Sequence, residues 1–359
     1  MSRELVIQML NESSQWENDT HKVRHLEEAV KQADAIPDEP LGYEARMELI
    51  SAATFSGNYD VAFVGYGWCR NYARKNPDSV DWGSMIWYLK WVVTFGLHLP
   101  TISVAKIDEM LDDLEANLAD NGYSARPAHG SRTTMYRNMG WIEKAQEASK
   151  VWLSTVRDEL SDCRACEVHS EALLHVSLGE NEKALEVAAP IIAETLTCST
   201  KPQATYGQMI IPLLRLGDIE RATEFLKIGF PMVQGNKMYI EENSFFMLAQ
   251  TRLKDWEGAT RNFDMEARQA EESNSMSDKY SFYVGAMAMM EGLLNDGIAN
   301  VSLRVPPPWS AGSEDGSYDV AELRDWFDKQ SDQIAAKFDA RNGTTLFADE
   351  KTEWLSLAQ

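Results

Sequence analysis

The stretch Gly217-Asp218-Ile219-Glu220-Arg221-Ala222 decides how this 359-residue chain is read, because the same six-residue phrase returns elsewhere. Gly140-Trp141-Ile142-Glu143-Lys144-Ala145 and Gly179-Glu180-Asn181-Glu182-Lys183-Ala184 repeat it, and so does Gly57-Asn58-Tyr59-Asp60-Val61-Ala62. Lys254-Asp255-Trp256-Glu257-Gly258-Ala259 keeps the phrase but loses its first glycine, and Pro100-Thr101-Ile102-Ser103-Val104-Ala105 is a weaker copy. Glycine takes the left-handed conformation that ends one helix, and an acidic residue just after it suits the positive N-terminal end of the next. The alanine five residues on is small enough for the two helices to approach closely.

The six alanines lie 43, 40, 39, 38 and 37 residues apart. A drifting period near 40 is the signature of stacked helical hairpins, none of which buries its apolar face alone. Between the corners, apolar residues recur at three- and four-residue steps, so the reading is all-α. The corners resemble those of the tetratricopeptide-repeat superfamily over roughly residues 40 to 290. The period here is longer than the usual repeat of about 34 residues. Asp162-Cys163-Arg164-Ala165-Cys166 and Phe338-Asp339-Ala340-Arg341-Asn342-Gly343 also look like segments of uncharacterised bacterial repeat proteins. The resemblance implies a right-handed solenoid with a concave inner groove lined by the first helix of each pair.

Four segments follow: capping helices over 1–37, the solenoid over 38–298, a Pro/Gly-rich linker over 299–318, and a capping helix with its tail over 319–359. Leu5, Ile7 and Leu10 face Val23, Leu26 and Val30 in the first cap. Val305-Pro306-Pro307-Pro308-Trp309 and the Ser/Gly/Asp/Glu run to Ser317 give the linker its composition. The last cap puts Val320, Leu323, Phe327, Ile334 and Phe338 on one face and ends at Gly343.

A formal charge of -22, from 34 Lys+Arg against 56 Asp+Glu, repels phosphate backbones and anionic lipid, so no nucleic-acid or membrane partner is expected. The first residues hold an apolar run too short for a signal-peptide core, and Met85 to Leu99 falls short of a membrane span, so a cytoplasmic location is expected. Nucleophile-elbow, zinc-protease and nucleotide-binding motifs are missing, which points away from an enzyme. Adjacent acids such as Asp112-Asp113 and Glu241-Glu242 read as solvated helix faces in so acidic a chain. Trp82, Trp87, Tyr88 and Trp91, at helical spacing, read as core between units.

Two constellations remain. Cys163, Cys166 and Cys198 belong at one end of the hairpin whose corner is Gly179, with His169 one turn beyond Cys166. Thiolates and an imidazole in that arrangement could hold a structural zinc ion. C-x-x-C also serves as a redox pair, and free cysteines are ordinary small core residues. Cys69 reads as packing. The second constellation comes from the repeat register, which puts Lys90, His98, Arg137, Asn138, Arg215 and Arg252 on the inner groove. A cationic groove in an acidic protein suits an acidic or C-terminal peptide segment, although arginine near a helix C-terminus is favoured whatever it faces. The function expected is therefore a non-catalytic protein-protein interaction adaptor. An (α/α)-toroid carbohydrate-active enzyme and a peptide- or metal-responsive sensor are the alternatives.

Overall fold

A computed structural model describes residues 2–309 and 316–359, so the Ser310–Asp315 part of the expected linker lies outside the described residues. The chain is all-α apart from one short pair of strands among those residues. Its helices are α1 (Arg3–Ser13), α2 (Thr20–Asp34), α3 (Glu39–Phe55), α4 (Tyr59–Lys75), α5 (Trp82–Leu97), α6 (Val104–Asp120), α7 (Arg126–Asn138), α8 (Ile142–Ser154) and α9 (Arg164–Ser177). There follow α10 (Asn181–Ile192), α11 (Gln203–Gln208), α12 (Ile210–Arg215), α13 (Ile219–Val233), α14 (Ile240–Arg252), α15 (Trp256–Glu272), α16 (Met276–Asn295), α17 (Val320–Asn342) and α18 (Leu346–Leu357). The chain divides into two compact units, Met1–Ser131 with Thr155–Ser161 and Arg132–Ser154 with Asp162–Gln359. From α1 to α6 and from α8 to α18, consecutive helices pack on one another.

The corners share one backbone geometry. Gly57, Gly140, Gly179 and Gly217 all have φ between 68° and 75°. The next residue's N–H reaches back five residues to a carbonyl, as in Trp141 to Tyr136, Glu180 to His175 and Asp218 to Leu213, each at 2.9 Å. Orphan carbonyls at the helix end are satisfied in this way. The copy that lacks its glycine behaves identically: Lys254 takes φ 56° and Asp255 N–H bonds Gln250 O at 2.9 Å. Asp218 and Asp255 also cap their helices, accepting from the N–H groups of Arg221 and Gly258.

Ala62, Ala145, Ala184, Ala222 and Ala259 are all buried. Ala105 is not: it is exposed, and the buried residue at this corner is Ile107. The cap explains the difference. Counted from the cap, each buried alanine is four residues on, as Ala222 is from Asp218; here the cap is Ser103, and four residues on is Ile107. Gly96 on α5 makes the room, since a Cβ there would meet Ile107 Cγ1 at 3.2 Å.

At the N-terminus the buried residues are Val6 and Leu10 rather than Leu5, which is exposed. In the expected linker, β1 (Asn300–Ser302) pairs antiparallel with β2 (Ser317–Asp319), with Val301 opposite Tyr318. Trp309, only 2% exposed, packs among Phe263, Phe282, Tyr283, Trp326 and Phe327. A composition that breaks helices thus carries an anchor into the core of the second unit. Helix α17 follows as expected, with Val320, Leu323, Phe327, Ile334 and Phe338 buried and Gly343 at φ 67° ending it. The expected tail is a further helix, α18, with Phe347 and Trp354 buried.

Candidate functional site

The predicted groove residues fall in both units. In the first unit, Lys90 is buried at 5% exposure. Its ammonium donates to Leu160 O at 2.8 Å and lies 3.8 Å from the Trp87 ring centre. His98, at the end of α5, is part-buried with its ring 5.6 Å from that of Tyr59. The α5 aromatics differ from expectation. Trp82, Trp87, Tyr88 and Trp91 are only part-buried, while Met85, Ile86, Leu89, Val92 and Val93 on the same helix form the core.

In the second unit Arg215 and Arg252 meet acidic or main-chain oxygen. Arg215 makes a paired contact with Glu353 on α18, Nε to Oε1 at 2.7 Å and Nη2 to Oε2 at 2.8 Å, and donates to Val176 O at 2.8 Å. Arg252 is exposed, and its Nη1 donates to Gln359 O at 3.3 Å. Arg137 is part-buried; desolvation lowers its pKa, against the opposing charges of Glu241 and Glu350. Asn138 is part-buried at the end of α7.

The Glu241-Glu242 pair is not a solvated face. Glu242 is 7% exposed, and Gln208 Nε2 donates to Glu241 Oε2 at 2.7 Å and to Glu242 Oε1 at 3.4 Å. Gly207 permits this approach: a Cβ there would come within 2.6 Å of Glu242 Cβ. Burial, and then the Glu241 charge, raise the Glu242 carboxyl to about 8. Burial raises Glu350 to about 8 and Asp278 to about 7, and Glu241 adds to both. These acids were missed because their burial comes from helices distant in sequence. A glycine at 207 with no turn to make is the one local sign of close approach. The Asp112-Asp113 pair fits expectation better, with Asp112 exposed and Asp113 paired to Arg70.

The thiols gather as their spacing requires. Cys163 caps α9, its Sγ accepting from Cys166 N–H at 3.4 Å. Cys198 lies beyond α10, where it and Lys201 exchange backbone hydrogen bonds of 3.1 and 3.4 Å. Cys166 Sγ and Cys198 Sγ are 3.7 Å apart, and all three sulfurs lie within 4.8 Å of one another, close enough to hold one metal ion. Burial pushes the Cys166 thiol up. Cys198 is brought down to about 7: burial opposes this, but hydrogen bonds from Thr200 and from the other two thiols outweigh it. His169 is not with them. It is buried, Nδ1 meets Thr205 Oγ1 at 2.9 Å, and burial together with Lys201 and Arg137 lowers its pKa well below the usual value. Cys69 is fully buried, as expected, with its thiol pushed up to about 12 by burial.

No protein-family model and no curated protein matches the chain. Among the described residues no helix is long and apolar enough to cross a membrane.

Proposed function

We propose that the chain is a non-catalytic, cytoplasmic adaptor, a right-handed solenoid of tetratricopeptide-like hairpins that binds an acidic or C-terminal peptide segment of a partner protein. The observation that supports this reading is the company of Arg215 and Arg252. On α12 and α14 of the second unit, they address one stretch of the chain itself: Arg215 holds Glu353, and Arg252 holds the main-chain oxygen of Gln359. Arg215 offers carboxylates the forked geometry that arginine recognises best. Arg137, already faced by Glu241 and Glu350, contributes less. A structural zinc ion at the three thiols belongs to the same reading.

The test is fluorescence anisotropy of a labelled Glu-rich peptide with the full chain. The Glu353→Gln variant, which removes the internal competitor for Arg215, is expected to bind several-fold more tightly than the parent. Arg215→Glu with Arg252→Glu is expected to abolish binding. Equal affinity across all three chains overturns the proposal.

One observation favours a second reading. Glu242 and Glu350, raised to about 8, are acids of the kind that protonate a glycosidic oxygen, which suits a carbohydrate-active (α/α) toroid. Hydrolysis of nitrophenyl glycosides by the parent, lost in Glu242→Gln, supports that reading. Turnover no faster than buffer removes it.

A further inference from the structure

We propose that Cys163, Cys166 and Cys198 form a three-thiolate site for one Zn(II) ion whose fourth coordination position opens to solvent and exchanges its ligand. The inference deepens the zinc part of the adaptor reading; it stands on the thiols alone and survives if no peptide binds.

Sulfur spacing carries the argument. Zinc holds thiolates at about 2.3 Å in tetrahedral geometry, which sets neighbouring sulfurs roughly 3.8 Å apart. Cys166 and Cys198 already stand at 3.7 Å, and the remaining separations lie within 4.8 Å. One ion therefore fits with a movement of about an ångström in the Cys163 side chain, which is exposed and on the cap residue before the helix. A disulfide needs its sulfurs at about 2.05 Å, so even the closest pair would have to close by about 1.6 Å.

The chain arrives at this place from two sides. Cys163 and Cys166 are one helical turn apart at the start of α9, and the paired backbone bonds between Cys198 and Lys201 fix the turn that presents the third sulfur. Three thiolates and a divalent ion leave one net negative charge, which the buried Lys201 offsets. The fourth ligand is not His169, because neither of its ring nitrogens is among the donor atoms that cluster within 4.8 Å of one another. Because Cys163 is exposed, water or an added thiol takes that position. Zinc binding displaces the thiol protons to solvent, and the metal bonds neither gain nor lose electrons.

The experiment titrates the reduced full-length chain with Zn(II) against a chromophoric chelator, and with Co(II) to read thiolate-to-metal charge transfer. One equivalent is expected. Cys166→Ser and Cys198→Ser should each weaken binding on the order of 100-fold, while His169→Ala leaves affinity and the cobalt spectrum unchanged. Added thiol should shift the cobalt bands in the parent, reporting the open position. No binding tighter than micromolar by the reduced parent overturns the proposal, whatever the variants do. So does a cobalt spectrum that changes in His169→Ala, or one indifferent to added thiol. Isolation of the chain without metal and lighter by two hydrogens, with Cys166 and Cys198 joined, assigns the cluster to redox chemistry instead.

Discussion

Among the described residues, the two units differ in where they keep their acids. In the first, the shifted carboxylates Glu4, Glu28, Asp38 and Glu109 are all lowered, and all lie at the surface. Among its buried cations, Lys90 reaches Leu160 O and the Trp87 ring, and Arg46 reaches Gly42 O, the Trp68 ring and Asp34. In the second, Glu241, Glu242, Glu266, Asp278 and Glu350 are all raised by burial. One corner, used repeatedly, therefore builds interiors of different chemistry. The corner dictates where helices turn, whereas the residues along them decide what the interior can bind.

The largest expected effect tests whether the second unit's core depends on its irregular segment. Trp309→Ala should cost about 3–5 kcal/mol, as loss of a buried tryptophan does. Chemical denaturation followed by hydrogen exchange should show the protection of α15, α16 and α17 falling together. A cost below about 1 kcal/mol would restore the linker reading of residues 299–318. Next, Lys90→Met should cost about 1–3 kcal/mol, because Leu160 O loses its buried donor, and the loss of protection should fall within the first unit.

The pH response sharpens the contrast further. A carboxyl raised in the folded state keeps its full contribution below its unfolded pKa near 4.3 and loses it as the pH climbs through the folded value. With Glu266 and Asp278 at about 7 and Glu242 and Glu350 at about 8, the second unit should lose stability between about pH 4.5 and 8. Lowered carboxyls such as Asp38 act in the other direction, losing their contribution only as the pH falls through the acid range. Thermal unfolding should show the midpoint dropping by several degrees from pH 5 to pH 8, and Glu242→Gln should flatten that slope. A slope unchanged by Glu242→Gln would remove this carboxyl from the account. The smallest effect is at the glycine-free corner: Lys254→Gly should stabilise by about 0.5 kcal/mol, the relief of a left-handed lysine less the added freedom of the unfolded chain.

The helical corners were legible because their chemistry is local: a left-handed glycine, an acidic cap and a small residue one turn in. Gly217 and Asp218 needed nothing beyond their own hexapeptide. Ala105 was misread because the copy was aligned on its alanine instead of on the cap, Ser103. The burial of Trp309 was not legible because proline and glycine describe the backbone, while that burial depends on Phe282 and Phe327. The three thiols came together because a hairpin brings the start of one helix beside the end of the next. His169 did not join them, and its partner Thr205, on α11, could not be read from spacing. The pairing of Arg215 with Glu353 joins residues 138 apart, a distance at which no local pattern speaks.

The exchange at the α5–α6 corner shows what is held constant from hairpin to hairpin. There the bulky Ile107 stands where a methyl group stands elsewhere, and Gly96 across the seam has given up its side chain to admit it. Helix separation is thus governed by the combined volume of two facing positions, and either partner can supply the smallness. Variation in such a protein should accordingly travel in compensating pairs across each seam, and neither column taken singly would look constrained.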